Sequence, residues 1–254
     1  MKNFYNRLKF NQSFAYHKLQ QWLNATLPCA LCDAPAIAGQ NHDDILLCTH
    51  CVALLPWYTT ARCPQCALPN LSGTLCGICL QHTPAFDRTI SMFRYAYPLD
   101  RLLHQFKYHQ QLAWGALLAN ALLKQLPDLP VTERPDVLIA MPMHVNRIKQ
   151  RGFNHALELA KMLHQAWDIP LEIEGCMRVI DTPMQAGMDM KTRTRNLRGA
   201  FKSQPSWQGK HVMVVDDVMT TGASMHAVAK VLKQAGAAKV TALVLARTLK
   251  NEEG

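Results

Sequence analysis

Four Cys-x-x-Cys pairs, Cys29/Cys32, Cys48/Cys51, Cys63/Cys66 and Cys76/Cys79, crowd into the first third of this 254-residue chain. No other feature restricts its folding as much. Such a turn lets two thiolates reach one ion, and two turns complete the tetrahedral sulfur shell that Zn2+ prefers, the ion itself lowering the thiol pKa values. The spacing predicts up to two zinc ribbons. Sequential pairing, with ligands from 29 to 51 and from 63 to 79, needs the shortest loops and is expected; a crossed pairing is left open by spacing alone. Thioredoxin-like redox pairs compete with this reading but lack a surrounding βαβ pattern, and an iron–sulfur cluster would use the same thiolates. His42, His50 and His82 are substitute ligands, against the commoner explanation of lone surface histidines. The ninth cysteine, Cys176, stands apart and reads as a buried small residue. A segment rich in Pro and poor in large aliphatics gains little from hydrophobic burial, so metal would supply much of its folding free energy. No open coordination position beside a general base is suggested, and the zinc is expected to be structural.

Hydrophobic residues make up 49% and charged residues 18% of the chain, which is the composition of a globular protein. No apolar run approaches the roughly 18 residues of a membrane span, and Met1 to Phe10 lacks the apolar stretch of a secretory signal. The expectation is a cytoplasmic protein without a membrane span, in a compartment that keeps thiols reduced and available to metal. A formal charge of +9 and a pI near 9.2 favour polyanionic partners. The same balance fits an enzyme with phosphorylated substrates.

From about Phe86 the texture changes to aliphatic runs alternating with amphipathic stretches, the pattern of a parallel sheet flanked by helices. Leu99, Leu102, Leu103 and Phe106, then Leu117, Leu118, Leu122 and Leu123, recur at helical spacing before Pro127. Strands are expected at Val137–Ala140, His211–Val215 and Val240–Ala246, and helices at Ala156–Gln165 and Ala223–Gln234. The fold class is therefore α/β, a doubly wound parallel sheet behind an N-terminal cysteine-rich zinc ribbon module. Three segments follow: 1–27, with Phe14, Leu19, Trp22 and Leu23 in a short helix; 28–84, the cysteine module; and 85–254, the α/β domain, with the boundary near Thr83-Pro84.

The run from Met213 to Ser224 carries the chemistry. An apolar strand leads into Asp216 and Asp217, then Val218, Met219, Thr220, Thr221, Gly222, Ala223 and Ser224 at a helix start. Two adjacent carboxylates at the end of a parallel strand can accept hydrogen bonds from ribose hydroxyls, while a loop with outward N–H groups at a helix N-terminus binds phosphate. Gly222 permits a backbone conformation and a close approach that a side chain would obstruct, and Thr220, Thr221 and Ser224 add hydroxyl donors. Neither GxxxxGK[ST] nor GxGxxG occurs, so nothing supports a P-loop nucleotidase or a dinucleotide-binding domain.

This run resembles the phosphoribosyl pyrophosphate (PRPP) motif of type I phosphoribosyltransferases. The resemblance implies Asp216 and Asp217 on the ribose hydroxyls, Thr220 to Ser224 around the 5′-phosphate, and Mg2+ arriving with the pyrophosphate. In that chemistry pyrophosphate leaves C1, and nearby carboxylates and oxygen dipoles stabilise an oxocarbenium-like transition state. Met141 to Arg147, including Met143 and His144, lies where that fold places its pyrophosphate loop. Arg147 and Arg151 would then serve pyrophosphate; otherwise the basic run is a solvated helix start.

Further residues resemble the ComF family: Arg147-Ile-Lys-Gln-Arg151-Gly152-Phe153-Asn154-His155, Thr182-x-x-Gln185, Arg193-x-x-Asn196-Leu197-x-x-Ala200-Phe201, and the Phe93-Arg94-Tyr95 and Phe106-Lys107-Tyr108 segments. The resemblance implies a competence protein handling single-stranded DNA in the cytoplasm during natural transformation, with other competence and DNA-processing proteins as partners. Between Lys191 and Lys202 there are five basic residues, Lys191, Arg193, Arg195, Arg198 and Lys202, and no acid. A single strand could track these and Arg147 and Arg151. No purine or pyrimidine pocket is recognisable. Three readings therefore stand: a PRPP-binding DNA-handling protein, a phosphoribosyltransferase with an unknown acceptor, and a zinc-based assembly module with a vestigial sugar site.

Overall fold

The computed structural model describes residues 28–35, 47–108, 112–126, 129, 133–181, 197–203 and 206–249. They form two compact units that divide between Leu55 and Pro56. The expected helix within 1–27 lies outside the described residues. The change in sequence texture at Thr83-Pro84 falls inside the larger unit, because the second cysteine group packs with the sheet.

In the smaller unit, a tight turn at Cys29–Pro35 and helix α1 (Thr49–Ala53) carry the first four cysteines. The larger unit runs through α2 (Gly77–Gln81), β1 (Arg88–Arg94), α3 (Leu99–Tyr108), α4 (Leu112–Gln125), β2 (Val137–Ala140), α5 (Val145–Arg151), α6 (His155–Trp167), β3 (Cys176–Arg178), β4 (Phe201–Ser203), β5 (His211–Met219), α7 (Ala223–Gln234) and β6 (Lys239–Arg247). Four parallel strands stand in the order β1-β6-β5-β2, and β3 pairs with β4 as a separate antiparallel ribbon.

Strands β5 and β6 are interior and covered on both faces, so they read as unbroken apolar runs. Val212 and Val214, with Val240, Ala242 and Val244, meet Met225, Val228, Ala229 and Leu232 of α7. On the other face Val215, Leu243 and Leu245 lie against Ala119 and Leu122 of α4 and Leu159 and Leu163 of α6. Helices on both faces make the sheet doubly wound. Leu99, Leu102, Leu103 and Phe106 form the buried stripe of α3 that their spacing predicts. Gly115 lets α3 and α4 close together, since a Cβ there would stand 2.5 Å from Phe106 Cε2.

Strand β1 is an edge, and the chain entering the second cysteine group runs along it. Arg94 N–H donates to Pro56 O (2.9 Å), Tyr58 N–H to Met92 O (2.8 Å) and Thr89 N–H to Pro64 O (3.0 Å). The Arg62 guanidinium donates to Ser91 O, and the Trp57 and Phe93 rings lie 4.6 Å apart.

Candidate functional site

The cysteines gather as two groups, Cys29/Cys32/Cys48/Cys51 and Cys63/Cys66/Cys76/Cys79, each with its sulfurs within 4.8 Å of one another. The crossed pairing does not occur. Both groups use the same local construction. Cys29 N–H donates to Ala34 O and Asp33 N–H to Cys29 O, just as Cys63 N–H donates to Leu68 O and Ala67 N–H to Cys63 O. Asp33 (φ 58°) and Ala67 (φ 54°) each follow the second cysteine in a left-handed conformation. The other pair of each group sits at the start of a helix: Cys48 and Cys76 are the N-cap residues of α1 and α2.

Cys32 and Cys48 sulfurs lie 3.7 Å apart and Cys66 and Cys76 sulfurs 3.6 Å. These separations are far beyond a disulfide of about 2.05 Å. They match the edge of about 3.8 Å of a tetrahedron with a metal–sulfur distance of about 2.3 Å. Burial acts to raise the Cys63 thiol, but the N–H groups of Cys66, Cys76 and Gln65 draw it down to about 7. The donor sets are compatible with zinc. Cys176 is buried in β3, and burial alone pushes its thiol up to about 12.

The second constellation lies at the C-terminal ends of β2 and β5. Strand β5 does not stop at Val215 but continues through both acids to Met219, hydrogen-bonded to β6 throughout. Asp216 and Asp217 each offer a carboxylate oxygen within 4.8 Å of the other's and of a His155 ring nitrogen. Asp217 is 4% exposed, and its Oδ2 lies 2.7 Å from Lys107 Nζ of α3 and 3.4 Å from His155 Nε2 of α6. Its Oδ1 accepts from Val218 N–H, while Asp216 Oδ1 accepts from Asp217 N–H. Burial acts to raise the Asp217 carboxyl, but Lys107 and His155 overcome it and hold the group below the ordinary carboxylate range. Asp216 is driven the other way, first by burial and then by the neighbouring Asp217 charge, well above its ordinary value. For Lys107, burial disfavours the ammonium, yet Asp217 raises its pKa; for His155, burial dominates and lowers it.

The basic run now has a local explanation. His144 caps α5 by accepting from Asn146 N–H, and Gly152 (φ 86°) ends that helix in a left-handed turn. Asn154 then caps α6 through Ala156 N–H, while its amide donates to Met141 O at the start of the preceding loop. The next residue, His155, reaches Asp217. Asp181 lies against the loop: Asn146 Nδ2 donates to its carboxylate (2.9 Å), His144 Nδ1 is 3.5 Å away and Arg147 Nε 3.9 Å. Arg147 and Arg151 are partly buried. Met143 lies in the same loop.

Gly222 is the N-cap of α7 with φ 80°, so the expected conformational need is present. Toward the protein itself a Cβ there would meet Met219 Sδ and Phe86 Cζ at 3.7 Å, ordinary contact. Thr221 Oγ1 accepts from Ala223 N–H. Arg198 and Lys202 are exposed, while Lys191, Arg193 and Arg195 lie outside the described residues.

Sequence reasoning gave no site role to Lys107, His155, Asp181 or Arg247. The first two stood inside segments noticed only for their resemblance. A lysine in the apolar-rich face of a helix and a histidine directly after a capping Asn were the available signals.

A doubly wound parallel sheet with two acids, a hydroxyl-rich turn and a helix start at its C-terminal edge defines a phosphoribosyltransferase-fold protein, and the family model described as "Phosphoribosyl transferase domain" matches residues 114–253. The chain is 35% identical over 229 residues to the DNA utilization protein YhgH of Shigella flexneri, covering 87% of this chain and 97% of that one. It is 30% identical over 206 residues to competence protein F of Haemophilus influenzae, covering 79% and 84%. It belongs to the ComF family. Among solved structures, a purine phosphoribosyltransferase from Pyrococcus horikoshii OT3 is similar at a TM-score of 0.32 and 15% identity, over 63% of this chain and 87% of that one.

Proposed function

We propose that the chain binds PRPP with Mg2+ at the C-terminal edge of β5 and handles incoming single-stranded DNA in the cytoplasm during natural transformation. The observation that carries this reading is the run from Asp216 to Ser224, which crosses from strand to helix through a left-handed Gly222 in a protein whose relatives are named for DNA utilization and competence.

Asp216 and Asp217 read the ribose hydroxyls, Asp217 from its contacts with Lys107 and His155. Both carboxylates stabilise the positive charge that develops at C1. Thr220 to Ser224 surround the 5′-phosphate, and Met143, His144 and Arg147 receive the pyrophosphate, His144 and Arg147 in exchange for their contacts with Asp181. Hard carboxylate and hydroxyl oxygens suit Mg2+, which would neutralise pyrophosphate charge when bound. Lys107 already compensates the Asp217 charge in the absence of ligand. Zinc in the two cysteine groups is structural. Arg147, Arg151, Lys191, Arg193, Arg195, Arg198 and Lys202 contact strand phosphates, and other competence and DNA-processing proteins are further partners.

The match to a phosphoribosyl transferase domain favours a second reading, an active transferase with an unknown acceptor. Calorimetric titration with PRPP and Mg2+, with and without a short oligonucleotide, tests both. Binding of PRPP and oligonucleotide without pyrophosphate release supports the first, and release with an acceptor supports the second. Absence of PRPP binding rejects both.

A further inference from the structure

Arg247, the last residue of β6, is 3% exposed. Among the described residues its guanidinium donates to backbone carbonyls: Nε to Cys66 O (2.8 Å), and Nη1 to Met219 O (2.9 Å), Thr248 O (2.9 Å) and Thr220 O. A buried cation surrounded by neutral carbonyls needs negative charge nearby. A tetrahedral zinc with four thiolates carries a net charge of about −2, which protonated thiols would not supply.

One side chain thus grips a carbonyl of a candidate metal ligand and the two carbonyls that open the loop expected to hold phosphate. Few alternatives exist for either partner. Cys66 is already fixed within its turn by Ala67, whose carbonyl accepts from Tyr58 Oη (2.7 Å), and Thr89 Oγ1 donates to Gln65 O (2.6 Å). The turn is therefore anchored to the sheet on one side and to Arg247 on the other.

We propose that Arg247 is a positioning residue coupling the second cysteine group to the phosphate loop, so that metal bound by Cys63, Cys66, Cys76 and Cys79 orders Met219–Ser224, and phosphosugar in that loop tightens the metal. This inference rests on the proposed zinc and PRPP roles. The coupling is reciprocal by thermodynamic necessity, because both ligands act on one shared set of hydrogen bonds. Arg247 stands to the metal as an outer-shell partner, whose loss typically weakens metal binding by about 10- to 100-fold.

Hydrogen exchange of the full-length protein tests the coupling without needing turnover. Chelating zinc from the wild type should accelerate exchange in 219–224 by about tenfold or more while leaving β2 protected, and Arg247→Met should do the same with zinc still present. Zinc capture by a chromogenic chelator should be correspondingly faster in Arg247→Met and intermediate in Arg247→Lys. Adding Mg2+ and PRPP to the wild type should slow zinc capture. Exchange in 219–224 that ignores zinc removal from the wild type overturns the proposal, even if Arg247→Met fails to fold. Wild-type protein that gains no protection from PRPP instead defeats the functional reading, and the ligand-free exchange comparison still decides the coupling.

Discussion

Lys107 Nζ lies 2.7 Å from Asp217 Oδ2, joining helix α3 to the second of the two adjacent acids of β5. Removing the cation leaves a buried carboxylate uncompensated. Lys107→Met should destabilise the domain by about 3 kcal/mol, somewhat less to the extent that water reaches the lysine. Lys107→Met combined with Asp217→Asn should recover much of that loss. Chemical denaturation of the two variants measures the coupling, and additive losses would show that the pair carries no energy.

The same pair fixes a pH window. The Asp217 carboxyl is held below its ordinary 3.8, so its contribution is present above that value and lost as pH falls through the acid range. The Lys107 pKa is raised above 10.5, so its contribution is lost only as pH rises beyond that. His155, lowered from 6.5, takes up its proton at a lower pH folded than unfolded, so the chain loses stability as pH falls below about 6.5. Melting temperature should therefore begin to fall below about pH 6.5, and His155→Gln should flatten that first decline.

Asp216 behaves oppositely. Its folded pKa lies above 3.8, so ionising it costs stability, and the cost grows as pH rises through the folded pKa. Asp216→Asn should melt higher than wild type at pH 7.5, the advantage shrinking as pH approaches 4. The same variant should lose PRPP binding by of order 2 kcal/mol or more, as charge-assisted hydrogen bonds to the ribose disappear. Calorimetry alongside melting checks both signs; unchanged affinity would remove Asp216 from the site.

Metal analysis should return two zinc ions per chain. Cys29→Ser with Cys32→Ser should reduce that to one and unfold the smaller unit, while the larger unit retains its cooperative melt. A fully stable wild-type protein free of zinc would contradict the structural role.

Single-strand binding should weaken with salt, with a slope in log–log form of roughly 0.7 per phosphate contacted. Arg193→Ala and Arg195→Ala should each reduce that slope by about one contact. If both variants keep wild-type DNA affinity and slope while PRPP binding falls, the segment serves the sugar phosphate instead.

The sequence was most legible where one local rule governed the structure. The helix at Ala223–Gln234 and the strand at Val137–Ala140 have the expected limits because a left-handed Gly222 and an apolar run bounded by Met141-Pro142 set them locally. The cysteine groups were equally readable, since spacing determines which thiols can meet. Strand β5 was cut short at Val215 because two adjacent acids look like loop, whereas β6 supplies ladder partners as far as Met219. Lys107, His155 and Arg247 were invisible for a related reason. Each acts across the fold, on residues 110, 62 and 181 positions away, and no local pattern encodes such a meeting.

The path of Pro56 to Pro64 along β1 bears on how the protein fails when it loses metal. The hydrogen bonds that this segment shares with Met92, Thr89 and Arg94 occupy the rim of an all-parallel sheet, and parallel sheets tolerate an open rim poorly. A chain stripped of zinc in its second cysteine group would keep its apolar interior but present an unsatisfied strand to other molecules. Its characteristic fault is then polymerisation between copies rather than melting, visible as light scattering that grows with protein concentration while the helical signal persists.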